Sequence, residues 1–306
     1  MKNILTLSLL FISLSGFAQK LNLVLNLKQD STYYLTDNAN LTITETIKGQ
    51  DQIINTLIGV RVAHKVISIK DTVYQMEIQY LKMTMHIEAG GKKMDFDSDD
   101  KDSLSVVSKV MSSMLNKPFL MTITKTGKVL EMKNVEALYE HMFDKIPQIT
   151  EAKKAQFKNQ MEQSFGEKAF RNNFQDAFAM FPNTAVGLND KWTANTRIES
   201  IVSAQIKTNY TLQDITDNAI IINGDATISS DGTSGYKQLN NLTMRVTNVN
   251  GSATTRLKLD KNTGWIIDAK ISKVIKNTVE IQDSPQTPGG LTFPMTVIGD
   301  MTISSK

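Results

Sequence analysis

The chain contains no cysteine. That excludes disulfides, thiol nucleophiles, iron–sulfur clusters and cysteine-bound zinc together. Histidine is almost as scarce, with only His64, His86 and His141. No two of these stand at the spacing that puts a pair of imidazoles on one metal. Charge of one sign is not in excess: 34 Lys and Arg face 31 Asp and Glu, for a net +3. Nucleic-acid binding through a basic surface therefore has no basis in the composition. No phosphate-cradling G-x-x-x-x-G-K-[ST] and no G-x-G-x-x-G occurs. Gly232-Thr233-Ser234-Gly235 lacks the G-x-S-x-G pattern of a nucleophile elbow. The sequence nominates no catalytic, cofactor-binding or metal-binding residue.

What is present is ordinary globular material. Of 306 residues, 41% are hydrophobic, enough for a sizeable core, and the length fits about two domains of roughly 150 residues. Lys2 precedes a short apolar run from Ile4 to Phe17, and Gly16 and Ala18 sit at small-residue positions. This order of charge, apolar run and small residues predicts a cleavable secretory signal over 1–18. The run is shorter than the roughly 20 residues of a membrane helix, and no later stretch is longer. With no cysteine to carry a lipid at the cut, the mature chain is expected to be soluble, unanchored, and periplasmic or extracellular.

Strand periodicity opens the mature chain. Leu21, Leu23, Leu25 and Leu27 alternate with Asn22 and Asn26, which predicts a half-buried strand. Tyr74, Met76, Ile78 and Tyr80 repeat the alternation, and the phase then moves to Leu81, Met83, Met85 and Ile87. A one-residue slip turns every side chain over, so a bulge is expected near Tyr80–Leu81. Phe119–Ile123 and Val129–Met132 flank Gly127 as a hairpin. The middle changes period. Helices are predicted near 104–115, with Asp102 or Ser103 as N-cap, over Val135–Ile146, and over Thr150–Phe181, where Pro182 stops the last and Gly166 divides it. Strands return from 182 to 306, with Trp265, Ile267, Ala269 and Ile271 on one face, and an exposed loop from Ser284. Two stretches repeat weakly: Thr124–Leu130 resembles Lys261–Ile267, and Ile67–Val73 resembles Leu212–Asn218, which suggests a duplication. The reading is an α+β fold, mainly β. Curved antiparallel sheets of half-barrel type occupy 19–132 and 182–306, and a helical insert covers 133–181.

Two features invite a functional reading. Phe157, Met161, Phe165, Phe170, Phe174 and Phe178 form an apolar stripe in the last predicted helix. Such a stripe packs on a sheet, or lines an apolar cavity; a helix plugging a curved sheet does both. Fifteen Met, several on predicted inner faces, suit either gap-filling or an adaptable ligand surface. The acidic run Asp95, Asp97, Asp99, Asp100 and Asp102 lacks the glycine and terminal glutamate of a calcium loop and reads as solvated.

Phe181-Pro182-Asn183-Thr184-Ala185-Val186-Gly187-Leu188-Asn189-Asp190-Lys191-Trp192 resembles the P…V-x-G-D-x-W segment of an uncharacterised family of secreted, β-rich proteins of Bacteroidota. Lys261–Ile267 resembles that family's D-x-x-T-G-W hairpin. Asn189 departs from the usual G-D step. The resemblance implies secretion and a β-rich fold and assigns no activity. Asp30-Ser31-Thr32, Asp71-Thr72-Val73 and Asp102-Ser103-Leu104 resemble the O-glycosylation triplets of that lineage. At the level of fold the pattern is similar to lipoprotein-carrier half-barrels. The expected function is that of an exported, non-enzymatic envelope protein holding lipid or another apolar ligand in a curved sheet. The alternatives are a solid-cored module that binds an envelope protein, and a hydrolase without a recognisable motif.

Overall fold

The computed structural model describes residues 20–100, 105–140, 142–143, 150–151, 154–155, 158, 166–199, 203–230, 232, 235–239 and 242–306. The predicted signal, His141, Asp102, Ser103, Phe157, Met161 and Phe165 lie outside the described residues.

One antiparallel sheet of 13 strands carries the fold, in the order β6-β5-β3-β2-β1-β13-β12-β11-β9-β8-β7. Its strands are β1 (Thr32–Ile47), β2 (Gln50–Lys70), β3 (Val73–Ala89), β4 (Lys92–Asp97), β5 (Phe119–Thr124), β6 (Val129–Lys133), β7 (Lys191–Glu199), β8 (Ser203–Ile215), β9 (Ala219–Ser230), β10 (Lys237–Leu239), β11 (Leu242–Asp260), β12 (Ile266–Ile281) and β13 (Leu291–Ser304). β4 extends off β3 and β10 off β11. The pairing of β1 with β13, from Thr36↔Ser304 to Glu45↔Met295, joins the N-terminal and C-terminal strands into one surface. The meander β2-β3-β5-β6 is matched by β8-β9-β11-β12, so the weakly repeated segments occupy corresponding hairpins.

The sheet is curled but not closed: β6 and β7 end it on opposite edges. Between them lies α2 (Glu167–Phe178), packed against both. The Gln175 side chain accepts from the Val129 amide at 2.9 Å and donates to the Gly127 carbonyl at 3.3 Å. On the other edge the Trp192 indole N–H donates to the Met180 carbonyl at 2.9 Å. Trp192 thus anchors β7, and the helix ends at Phe178, short of the Phe181 expected from Pro182.

Alternation along the strands sorts the two faces. On β12, Ile275, Asn277 and Val279 are half-buried or buried, while Ser272, Val274 and Lys276 are exposed. The face toward α2 is apolar and the outer face carries mostly Thr, Asn, Ser, Lys and Asp. This is the reverse of a membrane β-barrel, which turns apolar residues outward. Among the described residues no helix is long and apolar enough to cross a membrane.

The bulge lies where the phase change placed it. Arg61 pairs with Lys82 and Val62 with Tyr80, leaving Leu81 as the extra residue in one continuous strand. Gly127 has φ +78° in the β5–β6 turn and backs directly onto the Phe178 carbonyl, leaving no space for a side chain.

Four expectations are corrected. Leu21–Leu27 is extended and buries alternate leucines, but it is not a sheet strand. Its backbone bonds go to loops: Leu21 to Val186, Leu25 to the Lys125 carbonyl and Asn26 to the Thr263 carbonyl. The segment crosses hairpin ends and seals the base of the sheet, and the Tyr74 hydroxyl donates to the Leu25 carbonyl at 2.9 Å. Where a helix is expected over Val135–Ile146, the described residues form a 3-10 turn, Val135–Leu138, and 141 and 144–146 lie outside the described residues. Helix α1 (Val106–Met114) is capped by Ser105, whose hydroxyl accepts from the Ser108 amide. A bulge beside Leu259 makes Ile266, not Ile267, the fully buried residue at the start of β12.

Candidate functional site

The β1–β2 pairing sets out the site residue by residue. Tyr33 lies opposite His64, Leu35 opposite Val62, Asp37 opposite Val60 and Ala39 opposite Ile58. All eight sit on the face toward α2. The helix delivers Phe170, Phe174 and Phe178 at successive turns onto the same face, as i, i+4 spacing requires. Between helix and sheet is a cavity of about 240 Å³ lined by Leu35, Asp37, Val60, Val62, His64, Tyr80, Met83, Phe170, Phe174, Ala177, Phe178, Ile266 and Ile303. Three residues of the predicted stripe, Phe170, Phe174 and Phe178, therefore do meet in one cavity.

Aromatic rings build its walls. Phe170 and Phe174 stack with centroids 6.3 Å apart. Tyr80 lies 6.0 Å from Phe170, and Phe178 lies 5.8 Å from Trp265. Phe170 and Phe178 are buried and Phe174 is partly open.

Two polar residues interrupt this apolar lining. His64 is 1% exposed, wedged between Trp265 at 5.1 Å and Phe174 at 6.0 Å, and neither ring nitrogen has a well-formed hydrogen bond, the Tyr33 backbone offering at most a poorly aligned one. Burial pushes its pKa down to about 4, with the Tyr33 backbone opposing part of the shift, so the ring is neutral at pH 7. Asp37 Oδ1 is also buried without a partner, and desolvation raises that carboxyl to about 6. Burial and the Asp37 charge together raise the Tyr80 hydroxyl. Asp37 and His64 stand two inward-facing steps apart, about 13 Å along the strand at ~3.3 Å per residue.

Asp37 was not among the residues the sequence singled out. Its signal is a lone carboxylate in phase with Tyr33, Leu35, Ala39, Leu41 and Ile43. His64 was seen in phase with Val60, Val62 and Val66, but its lack of partners depends on the packed helix. His86 pairs with Asp95 on the outer face. Lys82 bridges Asp97 and Asp99 there, at 3.9 and 2.7 Å. Among the described residues no group of three His, Asp or Glu is placed to hold a metal ion.

Along β1, β2, β3 and β13 the inner face continues beyond Asp37 with Ala39, Ile58, Met85 and Met301, all half-buried. The lower half of the sheet is thus packed under α2, while the upper half holds a second buried cluster of Ala204, Ile228, Val246, Val249, Val279 and Phe293 beside these half-buried residues.

An open, curled antiparallel sheet with a helix-plugged apolar interior is the class this architecture defines. The chain belongs to the Family of unknown function (DUF6263), whose model matches residues 71–266. No curated protein matches the sequence. Among solved structures, the fold is similar to one titled "Lipid-protein interactions in lipovitellin", with a TM-score of 0.50 and 6% identity over 92% of this chain. This chain spans 25% of that one. Two other matches are an outer membrane channel from Pseudomonas putida F1 and the translocator domain of the autotransporter NalP from Neisseria meningitidis. The channel match has a TM-score of 0.28 and 6% identity, covering 92% of this chain and 97% of that one. The translocator match has 0.21 and 4%, covering 90% of each.

Proposed function

We propose that this protein binds a lipid or other alkyl-chain ligand inside its curled sheet, after export directed by residues 1–18. The observation that carries the reading is the cavity of about 240 Å³ between Phe170, Phe174, Phe178 and the β1–β3 face. It continues onto the half-buried apolar residues Ala39, Ile58, Met85 and Met301. Apolar side chains left accessible on a concave face gain when an alkyl chain displaces water, by roughly 25 cal/mol per Å² buried. A concave, mostly apolar site with a few polar groups is the usual form of a small-molecule site. The similarity in fold to lipovitellin, whose title names lipid–protein interactions, agrees with this. Native mass spectrometry of the gently purified protein tests it. The expected result is a population carrying lipid-sized adducts that are released on unfolding. A clean apo mass that stays apo after incubation with a lipid extract would contradict the proposal.

A further inference from the structure

The polar groups in the cavity bear on which ligand enters it, a question that rests on the proposed ligand-binding reading. Asp37 Oδ1 is buried and unpaired, and the ring nitrogens of His64 have at most a poorly aligned bond to the Tyr33 backbone. Leaving a buried polar group unsatisfied costs about 1–3 kcal/mol, and native structures rarely retain such groups without a role. Among the described residues lining the cavity there is no Lys or Arg. The titratable groups facing Asp37 across the cavity are the Tyr80 hydroxyl and, deeper, the His64 imidazole, and neither supplies a positive charge at neutral pH. The Asp37 carboxyl, raised to about 6 by desolvation, is ionised at pH 7.5 and has no counter-charge among the described residues lining the cavity. Around it Val60, Val62, Met83, Phe170 and Phe174 offer only hydrocarbon.

We infer that Asp37 is a ligand anchor and that the cavity selects an amphiphile with a cationic, hydrogen-bond-donating head, an alkyl amine, over one with an anionic head. The ammonium supplies the missing counter-charge to Asp37. The chain lies against the phenylalanines of α2 and the valines of β2. A carboxylate or phosphate head meets like charge in a poorly solvated site, where Coulomb repulsion is strongest. An uncharged alcohol can donate one hydrogen bond to Asp37 and falls between. The His64 ring, held at most by a poorly aligned bond to the Tyr33 backbone, gives the deep end a second polar contact for a hydroxyl or a water.

Calorimetric titration of the full chain at pH 7.5 with decylamine, decanol and decanoate, each below its micellar concentration, tests this. The wild type is expected to bind decylamine at least about tenfold more tightly than decanoate, with decanol between. In Asp37→Asn the amine-to-carboxylate ratio is expected to fall below about threefold, while decanol affinity changes by less than about twofold. Circular dichroism of the variant establishes that it is folded, and Asp37→Leu provides a second charge-free control. Binding of decanoate as tight as decylamine, or a ratio unchanged in both variants, overturns the anchor and leaves the alkyl-chain reading standing through decanol. Failure of all three ligands to bind overturns both.

Discussion

In the unfolded chain Asp37 titrates near 3.8 and His64 near 6.5; folding moves these to about 6 and about 4. The raised Asp37 contributes stability that is fully present below pH 3.8 and is lost as pH rises through 6. The lowered His64 contributes stability that is present above pH 6.5 and is lost as pH falls through 4. Between about pH 4 and 6 the two slopes oppose each other, each amounting to on the order of 3 kcal/mol across its window. Wild-type stability is therefore expected to change little with pH in that range. Asp37→Asn leaves the His64 slope alone, so its stability should climb with pH. His64→Gln leaves the Asp37 slope alone, so its stability should fall. Urea unfolding at pH 4, 5 and 6 measures all three. Parallel wild-type and Asp37→Asn profiles would contradict the assignment. At pH 7.5 Asp37→Asn should also be more stable than wild type, since it no longer buries an unpaired charge. A binding residue that lowers stability is a common cost of function. None of this was legible in the sequence, because an unpaired atom is defined by what fails to approach it. His64 reads as one more member of an apolar phase until Trp265, more than 200 residues away, closes over it.

The elements were legible in proportion to how far local pattern determines them. The Leu81 bulge followed from the phase change between Tyr80 and Met83 alone, because side-chain direction alternates strictly along a strand. Leu21–Leu27 has the same alternation, yet its neighbours are hairpin ends, and no local pattern distinguishes an extended strap from a sheet strand. The stretch after Val135 has helical spacing, but its described residues form a 3-10 turn over Val135–Leu138, with Val135, Leu138, Tyr139 and Met142 in the core. Helix α2 is held to the β6 edge by the two Gln175 bonds. Gln175→Ala should cost about 1–3 kcal/mol by orphaning the Val129 amide, measurable as a lower urea midpoint. If α2 covers the cavity, the same variant should release a bound alkyl ligand faster than wild type in stopped-flow displacement. The strap makes a parallel prediction. Tyr74→Phe removes the hydroxyl that donates to the Leu25 carbonyl and accepts from the Leu27 amide at 3.1 Å. It should destabilise by about 1–3 kcal/mol, and amide exchange of Leu25 and Leu27 should accelerate. Unchanged exchange there would mean that the strap is held by its leucines alone.

For the molecule as a whole, the arrangement is a curled sheet with a polar exterior, an apolar interior and one helix bridging its open edges. That architecture follows from long alternating strands, whose inner faces stay half-buried at Ala39, Ile58, Met85 and Met301. The account rests on alkyl ligands entering between α2 and the β1–β3 face. The most direct measurement is photolabelling with a diazirine-bearing decylamine, followed by mass-spectrometric mapping of the labelled peptides. The account predicts labels on α2 and on the inward-facing residues of β1 and β2 around Asp37 and Val62, competed away by unlabelled decylamine. Labels confined to the outer face around Ile53, Leu57 and Ile298, or insensitive to the competitor, would contradict it.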